Sequence, residues 1–261
     1  MLSPEALVML DVNGLHKNFR GIAAVQDVSF QVQRGEVLSL IGPNGAGKTT
    51  CFNLITGFYK PDSGSVFLDG RDVTGMEPSA MAALGVVRTF QKTNIFKNLT
   101  VFENVLTARH RLGIRSLWKN LLPGRLVRDS ERRLRDEAAE LVDLVGLSAR
   151  INTLSSSLSC GELRLLEVAT ALGAAPRLLM LDEPAAGLNT EEALILGAAL
   201  RGLVGSKIEA LLLVEHNISL VMSVSDRVVV MNFGQKLMEG RPEEVRRNPQ
   251  VVEAYLGKSA A

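Results

Sequence analysis

Cysteine is scarce in this 261-residue chain: there are two, Cys51 and Cys160. That is too few for a disulfide framework, so a reducing compartment is the expected setting. An excess of one charge is also missing, since 29 Lys+Arg against 28 Asp+Glu leave a net charge of +1. This balance gives no general electrostatic reason to bind nucleic acid or an anionic membrane. No apolar run approaches the ~18–20 residues needed to span a bilayer. Glu5 and Asp11 interrupt the short apolar N-terminal stretch, which has no basic flank, so it is poorly built for a signal peptide. Internal repeats and low-complexity tracts are absent too. A secreted disulfide scaffold and an integral membrane protein are thereby excluded. A soluble, intracellular protein that docks on a membrane partner is not.

What is present reads as globular: 46% hydrophobic and 22% charged residues, at a length that suits one large domain or two small ones with a sizeable core. Short apolar or alternating runs predict strands at Leu7–Leu15, Val25–Val32, Glu36–Ile41 and Gly64–Leu68. A helix is expected over Lys48–Gly57. From about Thr100 to Leu147 the chain turns rich in Leu, Arg and Glu at helical spacing. Within it, Ser130–Val145 puts Leu134, Ala138, Leu141 and Val145 on one face, and Pro123-Gly124 breaks two helical stretches. Leu178–Leu181 and Ala210–Val214 suit buried parallel strands, with a helix over Glu191–Val204 between them. Val228–Met231 and Gln235–Met238 read as a hairpin, followed by short helices at Pro242–Arg247 and Pro249–Leu256. Alternating β and α elements imply a mostly parallel sheet with helices on its faces. The Leu/Arg/Glu-rich block reads as a helical insertion into that α/β core.

Gly42-Pro43-Asn44-Gly45-Ala46-Gly47-Lys48-Thr49 fits G-x-x-x-x-G-K-[ST]. Its fixed positions match by chance in roughly 1% of chains this long, and here a predicted strand precedes the match and a helix follows. Backbone N–H groups of such a loop converge on phosphate oxygens, and the helix start adds its positive end. Glycines let the backbone approach closely. Lys48 would reach the β- and γ-phosphates and Thr49 would ligate Mg²⁺. Leu178–Leu181 runs into Asp182-Glu183. Asp182, at the C-terminal end of its strand, can hold Mg²⁺ directly or through water, and Glu183 is placed to orient or deprotonate an attacking water. Between these two features, Leu158-Ser159-Cys160-Gly161-Glu162 sits where a loop meets a helix, with Ser159 a natural N-cap.

With these residues in order, the chain resembles the ATP-binding subunits of ABC transporters from about Leu7 to Leu256. The matching residues are the P-loop Gly42–Thr49, Gln91 in Arg88-Thr89-Phe90-Gln91, the signature Leu158–Glu162, Asp182-Glu183, Ala186-Gly187-Leu188-Asn189, and His216 in Val214-Glu215-His216-Asn217. The resemblance implies a P-loop NTPase (RecA-like) core with an antiparallel β subdomain and an inserted α-helical signature subdomain. The implied divisions are 1–93 and 176–240 for the ATP-binding core, 94–175 for the helical subdomain and 241–261 for a helical tail. It also implies ATP and Mg²⁺ as cofactors, bound by the P-loop with Thr50 beside it. Phe19 would stack on adenine, and Thr49, Gln91 and Asp182 would hold the metal. Glu183, His216 and Gln91 would serve hydrolysis. A second ATP-binding subunit, identical or different, would pair head-to-tail, so that Ser159 and Gly161 contact the γ-phosphate held by the other subunit.

Three positions depart from the family's usual residues. Cys160 replaces a Gly and Glu162 a Gln in the signature, and Asn189 stands where an Asp is common. Glu162 would set a negative charge near the partner's phosphates unless it points away. Cys160 lacks a basic partner in sequence and reads as a small buried or interfacial residue.

Val86–Gln91 followed by Ile95–Val105, then Asp182–Asn189 and the ending Arg241–Val245, Asn248-Pro249 and Ala254–Gly257, resemble the importers of branched-chain amino acids. Related systems move urea, short amides or other hydrophobic amino acids. The resemblance implies transmembrane permease partners docked near Gln91 and Ile95–Thr100, an indirect substrate-binding protein, no nucleic acid, and a peripheral place on the cytoplasmic face of the inner membrane. A soluble ABC ATPase of DNA repair or translation shares the motifs, but usually carries two modules or long coiled coils. A GTPase would need an Asn-Lys-x-Asp motif, which the chain lacks. A poorly hydrolysing regulatory subunit is the remaining alternative, motivated by Cys160, Glu162 and Asn189.

Overall fold

The structure is a computed structural model and describes residues 7–89, 95–113 and 124–256. Among the described residues, ten strands fall into two sheets. The smaller sheet is antiparallel, in the order β2-β1-β4-β5: β1 (Val8–Phe19), β2 (Ile22–Gln33), β4 (Ser63–Leu68) and β5 (Arg71–Asp72). Six strands form the larger sheet, in the order β10-β9-β3-β8-β7-β6: β3 (Val37–Ile41), β6 (Val86–Arg88), β7 (Leu178–Asp182), β8 (Ala210–Val214), β9 (Arg227–Asn232) and β10 (Gln235–Gly240). All its pairings are parallel except the closing β9–β10 hairpin.

The sequence explains this division. Every residue of β3, β7 and β8 is buried, as expected of parallel strands covered on both faces. Along β7 the side chains alternate: Leu178 and Met180 enter the core shared with the antiparallel sheet, beside Phe30, Phe52 and Val229. Leu179 and Leu181 face the helical side, with Val105, Val142, Leu166, Leu196 and Leu220. A third cluster joins Ile41, Val228 and Val230 to the C-terminal helices through Val245, Val251 and Tyr255.

The helices among the described residues are α1 (Lys48–Ile55), α2 (Pro78–Ala83), α3 (Val101–Gly113), α4 (Gly124–Leu144), α5 (Cys160–Gly173), α6 (Thr190–Leu203), α7 (Ile218–Val224), α8 (Pro242–Arg247) and α9 (Pro249–Leu256). On the predicted face of α4, Ala138, Leu141 and the following Val145 are buried and Leu134 is half-buried. The helix starts earlier than expected, at Gly124; Pro123 lies outside the described residues. The first hairpin also outruns its prediction, because Lys17, Asn18 and Phe19 pair with Val25, Ala23 and Ile22 after the apolar alternation has faded. No helix among the described residues is long and apolar enough to cross a membrane.

Candidate active site

The phosphate-loop sequence leaves β3 and enters α1, wedged between two other strands. A Cβ at Gly42 would sit 2.2 Å from the Met231 carbonyl oxygen, and one at Gly47 would sit 2.3 Å from that of Ala24. Only glycine fits against these backbones, and Gly47 also holds φ at +98°. Gly47 caps α1 without a side chain, and the first turn carries no acid. The helix start is thus left to an outside anion. Lys48 is 5% exposed, and its Nζ donates to the carbonyls of Gly42 (2.8 Å) and Pro43 (3.0 Å). Burial holds its pKa below the usual lysine value, opposed by the nearby Glu183 and Asp182.

β7 delivers the acidic pair beside this loop. One oxygen of buried Asp182 pairs with Arg88 at 2.7 Å; the other, Oδ1, is buried with no hydrogen-bond partner among the described residues. Burial raises the Asp182 pKa and the Arg88 guanidinium opposes it. Arg88 itself is placed by Asn53 Oδ1 (2.5 Å) and by the rings of Phe52 and Phe58, 5.4 and 6.0 Å from its guanidinium carbon. Glu183 adopts φ +51°, a left-handed conformation unusual for a residue with a Cβ. Its amide donates to Val214 (2.8 Å) across the sheet, while its carboxylate turns into the cavity and meets His216 Nε2 at 2.9 Å.

These groups converge on one cavity of about 620 Å³, within the range of small-molecule sites. Asn44, Gly45, Gly47, Lys48, Thr49 and Thr50 line it from the loop and α1, facing Glu183 and His216. Gly42, Pro43 and Ala46 support the loop without lining the cavity, and Asp182 is buried beside it. Gln91 lies outside the described residues. Phe19 ends β1 opposite Ile22, which does line the cavity, but Phe19 itself meets Tyr59 edge-on, with ring centroids 5.2 Å apart.

Several wall residues escaped the sequence reading. Ile22, Ala23, Ala24 and Gln26 enter from β2, and Phe233, 82% exposed, from the β9–β10 turn. That turn is fastened to the loop and to β2: Gly234 N–H donates to Ala46 (3.1 Å), Gln26 N–H to Gly234 (2.7 Å), and Gln26 Nε2 to the Phe233 carbonyl (3.1 Å). From α9, the phenol of Tyr255 lies against the Gly42 backbone, its pKa pushed up to about 12 by burial. Phe233-Gly234 is a legible turn signal, yet nothing local places it beside a loop nearly two hundred residues earlier.

Ser159 and Gly161 do not line this cavity. Ser159 caps α5, its Oγ accepting from Glu162 N–H (3.2 Å) while Glu162 accepts from Ser159 N–H (2.8 Å). The second Glu162 oxygen pairs with Arg150 at 2.8 Å. The Ser159 amide, with help from Arg150, holds this carboxyl below the usual range. Glu162 is therefore turned back into its own helix cap rather than left as a free charge. Asn189 does the same for α6, exchanging hydrogen bonds with Glu192 (2.9 and 3.0 Å). Cys160 is an exposed free thiol, and a Cβ at Gly187 would lie 3.4 Å from its sulfur. The signature start and the loop after the acidic pair are thus neighbours.

An anion cradle with a buried lysine, facing a carboxylate–imidazole pair, is equipped to bind a polyphosphate and aim water at it. The comparisons agree. The family described as ABC transporter matches residues 25–186, and the one described as branched-chain amino acid ATP-binding cassette transporter matches residues 235–261. The high-affinity branched-chain amino acid transport ATP-binding proteins LivG of Salmonella typhimurium and BraF of Pseudomonas aeruginosa are each 44% identical over 251 residues, covering 96% of this chain and 98% of theirs. The crystal structure of the ADP conformation of MJ1267, an ATP-binding cassette of an ABC transporter, superposes with a TM-score of 0.84 at 32% identity, covering 97% of this chain and all of that one. The chain belongs to the ATP-binding subunits of ABC transporters, in the family that includes LivG and BraF.

Proposed function

We propose that this chain hydrolyses MgATP at the cavity between the phosphate loop and the Glu183–His216 pair, and that the cycle drives import of branched-chain amino acids. The observation that carries this is the convergence of Lys48, Glu183 and His216 on one cavity. The loop amides and Lys48 hold the triphosphate. Glu183 orients water for attack on the γ-phosphorus and accepts its proton, giving ADP and inorganic phosphate. His216 fixes the carboxylate through their 2.9 Å contact.

The residues present suit Mg²⁺. Asp182 has a buried oxygen with no hydrogen-bond partner among the described residues, and the exposed Thr49 lines the cavity. Among the described residues no group of three or more His, Cys, Asp or Glu could hold a metal alone. Phosphate oxygens and water must therefore complete the shell, as is usual for this ion. When bound, Mg²⁺ neutralises charge on the phosphate oxygens. The family resemblance adds Gln91 to this set, and gives Phe19 to adenine.

A second ATP-binding subunit, packed head-to-tail, supplies Ser159 and Gly161 to the γ-phosphate. Two features support this: the signature residues do not line the chain's own cavity, and Ser159 is exposed at the start of α5. The helical part, residues 94–175, carries that signature. Permease subunits dock where Phe96 (59% exposed) and Leu154 (49% exposed) present apolar side chains on a braced backbone. The brace is Asn104, 2% exposed, which bonds the Phe96 amide (2.8 Å), the Thr100 carbonyl (2.9 Å) and Ser155 Oγ (2.9 Å). This docking keeps a chain without a spanning helix among its described residues at the membrane. The cargo follows from the 44% identical relatives and the C-terminal family match.

The test is leucine uptake by the transporter reconstituted in proteoliposomes with ATP inside. Uptake is expected with the natural subunit and at background with Lys48→Ala. Urea uptake exceeding that of leucine would overturn the cargo.

A further inference from the structure

Glu215 is 2% exposed, does not line the cavity, and has no part in the chemistry described above. Its carboxylate nevertheless joins the two loops that supply the hydrolytic pair. Oε1 accepts from the Ala185 amide at 2.7 Å, in the loop after β7. Oε2 accepts from the amides of His216 (2.9 Å) and Asn217 (3.1 Å), in the loop after β8. The strands end side by side, Asp182 opposite Val214, so Glu183 and Glu215 are the next residues out. One turns its carboxylate into the cavity; the other sends its carboxylate back under both loops. Asn217 extends the hold by capping α7 through the Leu220 amide (3.1 Å).

We propose that Glu215 is a positioning residue for ATP hydrolysis: its buried carboxylate ties the loop after β7 to the loop after β8 and so keeps His216 in register with Glu183. This rests on the reading of Glu183 and His216 as the hydrolytic pair. Only a carboxylate does this well. Its two acceptor oxygens face opposite ways, and amides donating to a charged acceptor make strong bonds. Glutamine offers one oxygen and turns an NH₂ against an amide donor, so it gives up one of the two loops. Aspartate is one methylene short of reaching both. Phosphate contacts are left alone, so the effect falls on turnover.

The experiment compares kcat and KM for ATP in the assembled transporter carrying Glu215→Gln, His216→Ala or both. Glu215→Gln is expected to lower kcat by about 10- to 100-fold, the scale of a small misplacement in an active site, with KM within about two-fold. The double variant is expected to be no slower than His216→Ala alone, because the carboxylate acts through the imidazole. A kcat loss that multiplies in the double variant overturns the proposal. So does a rise in KM at unchanged kcat. If His216→Ala is slow but folded Glu215→Gln is not, the proposal alone fails. If His216→Ala turns over normally, the hydrolytic pair itself is wrong and the proposal falls with it. Should Glu215→Gln not fold, Glu215→Asp keeps the charge and the short reach to His216 and Asn217 but loses Ala185. It is expected to show the same kcat loss, and a normal kcat overturns the proposal.

Discussion

At Glu162 and Asn189 the residue types that depart from the family's usual pattern have local work to do. Each closes a capping box with a neighbour three residues away. Helix caps of this kind are worth about 1 kcal/mol, and asparagine and aspartate cap about equally well. The case for a poorly hydrolysing subunit loses much of its motivation here, because Glu162 is engaged by Ser159 and Arg150. Arg88 shows the opposite situation. Its guanidinium and the Asp182 carboxylate are both nearly buried, with side chains 6% and 0% exposed. A buried pair broken from one side leaves the other charge uncompensated, at about 3–5 kcal/mol. Arg88→Met is therefore expected to lower unfolding free energy by that order in urea titration. A loss under about 1 kcal/mol would show that Asp182 does not depend on its partner.

Among the elements, those with long apolar signatures were legible. β8 is an uninterrupted apolar run, β7 is one up to Asp182, β3 is broken only by Ser39, and the 21-residue α4 carries the stripe of Leu134, Ala138 and Leu141. α2 and α7, six and seven residues long, show little helical period and went unpredicted, although the equally short α8 was read as helical. The same contrast runs through the site. The phosphate loop and the Asp182-Glu183 pair are contiguous in sequence and could be read directly. The walls from Ile22 to Gln26 and from Phe233 are assembled by the sheet order, which no local pattern encodes. The segment around Phe96 belongs to this scale too. Phe96→Asp is expected to cut ATP-driven uptake at least about 10-fold while leaving ATP binding by the separate subunit within about two-fold. Uptake that survives the charge would place permease docking elsewhere.

In the whole molecule, the nucleotide cavity and the signature residues lie in different parts of one chain, and the proposed head-to-tail pairing brings them together from two subunits. The two cysteines report on this. Cys51 is fully buried, with its thiol pushed up to about 12 by burial, and is expected to stay unlabelled in the folded protein. Cys160 is exposed at the signature. With MgATP and Glu183→Gln to hold the closed state, labelling of Cys160 by a maleimide is expected to slow at least about 10-fold. An unchanged rate would argue against a head-to-tail sandwich.

The central claim is that the cavity hydrolyses ATP through Glu183. The most direct measurement is ATP turnover by the transporter assembled with Glu183→Gln, beside ATP binding by the same variant. Loss of the general base predicts turnover at least about 100-fold lower, with binding retained because Lys48 and the loop amides are untouched. Undiminished turnover would contradict the account.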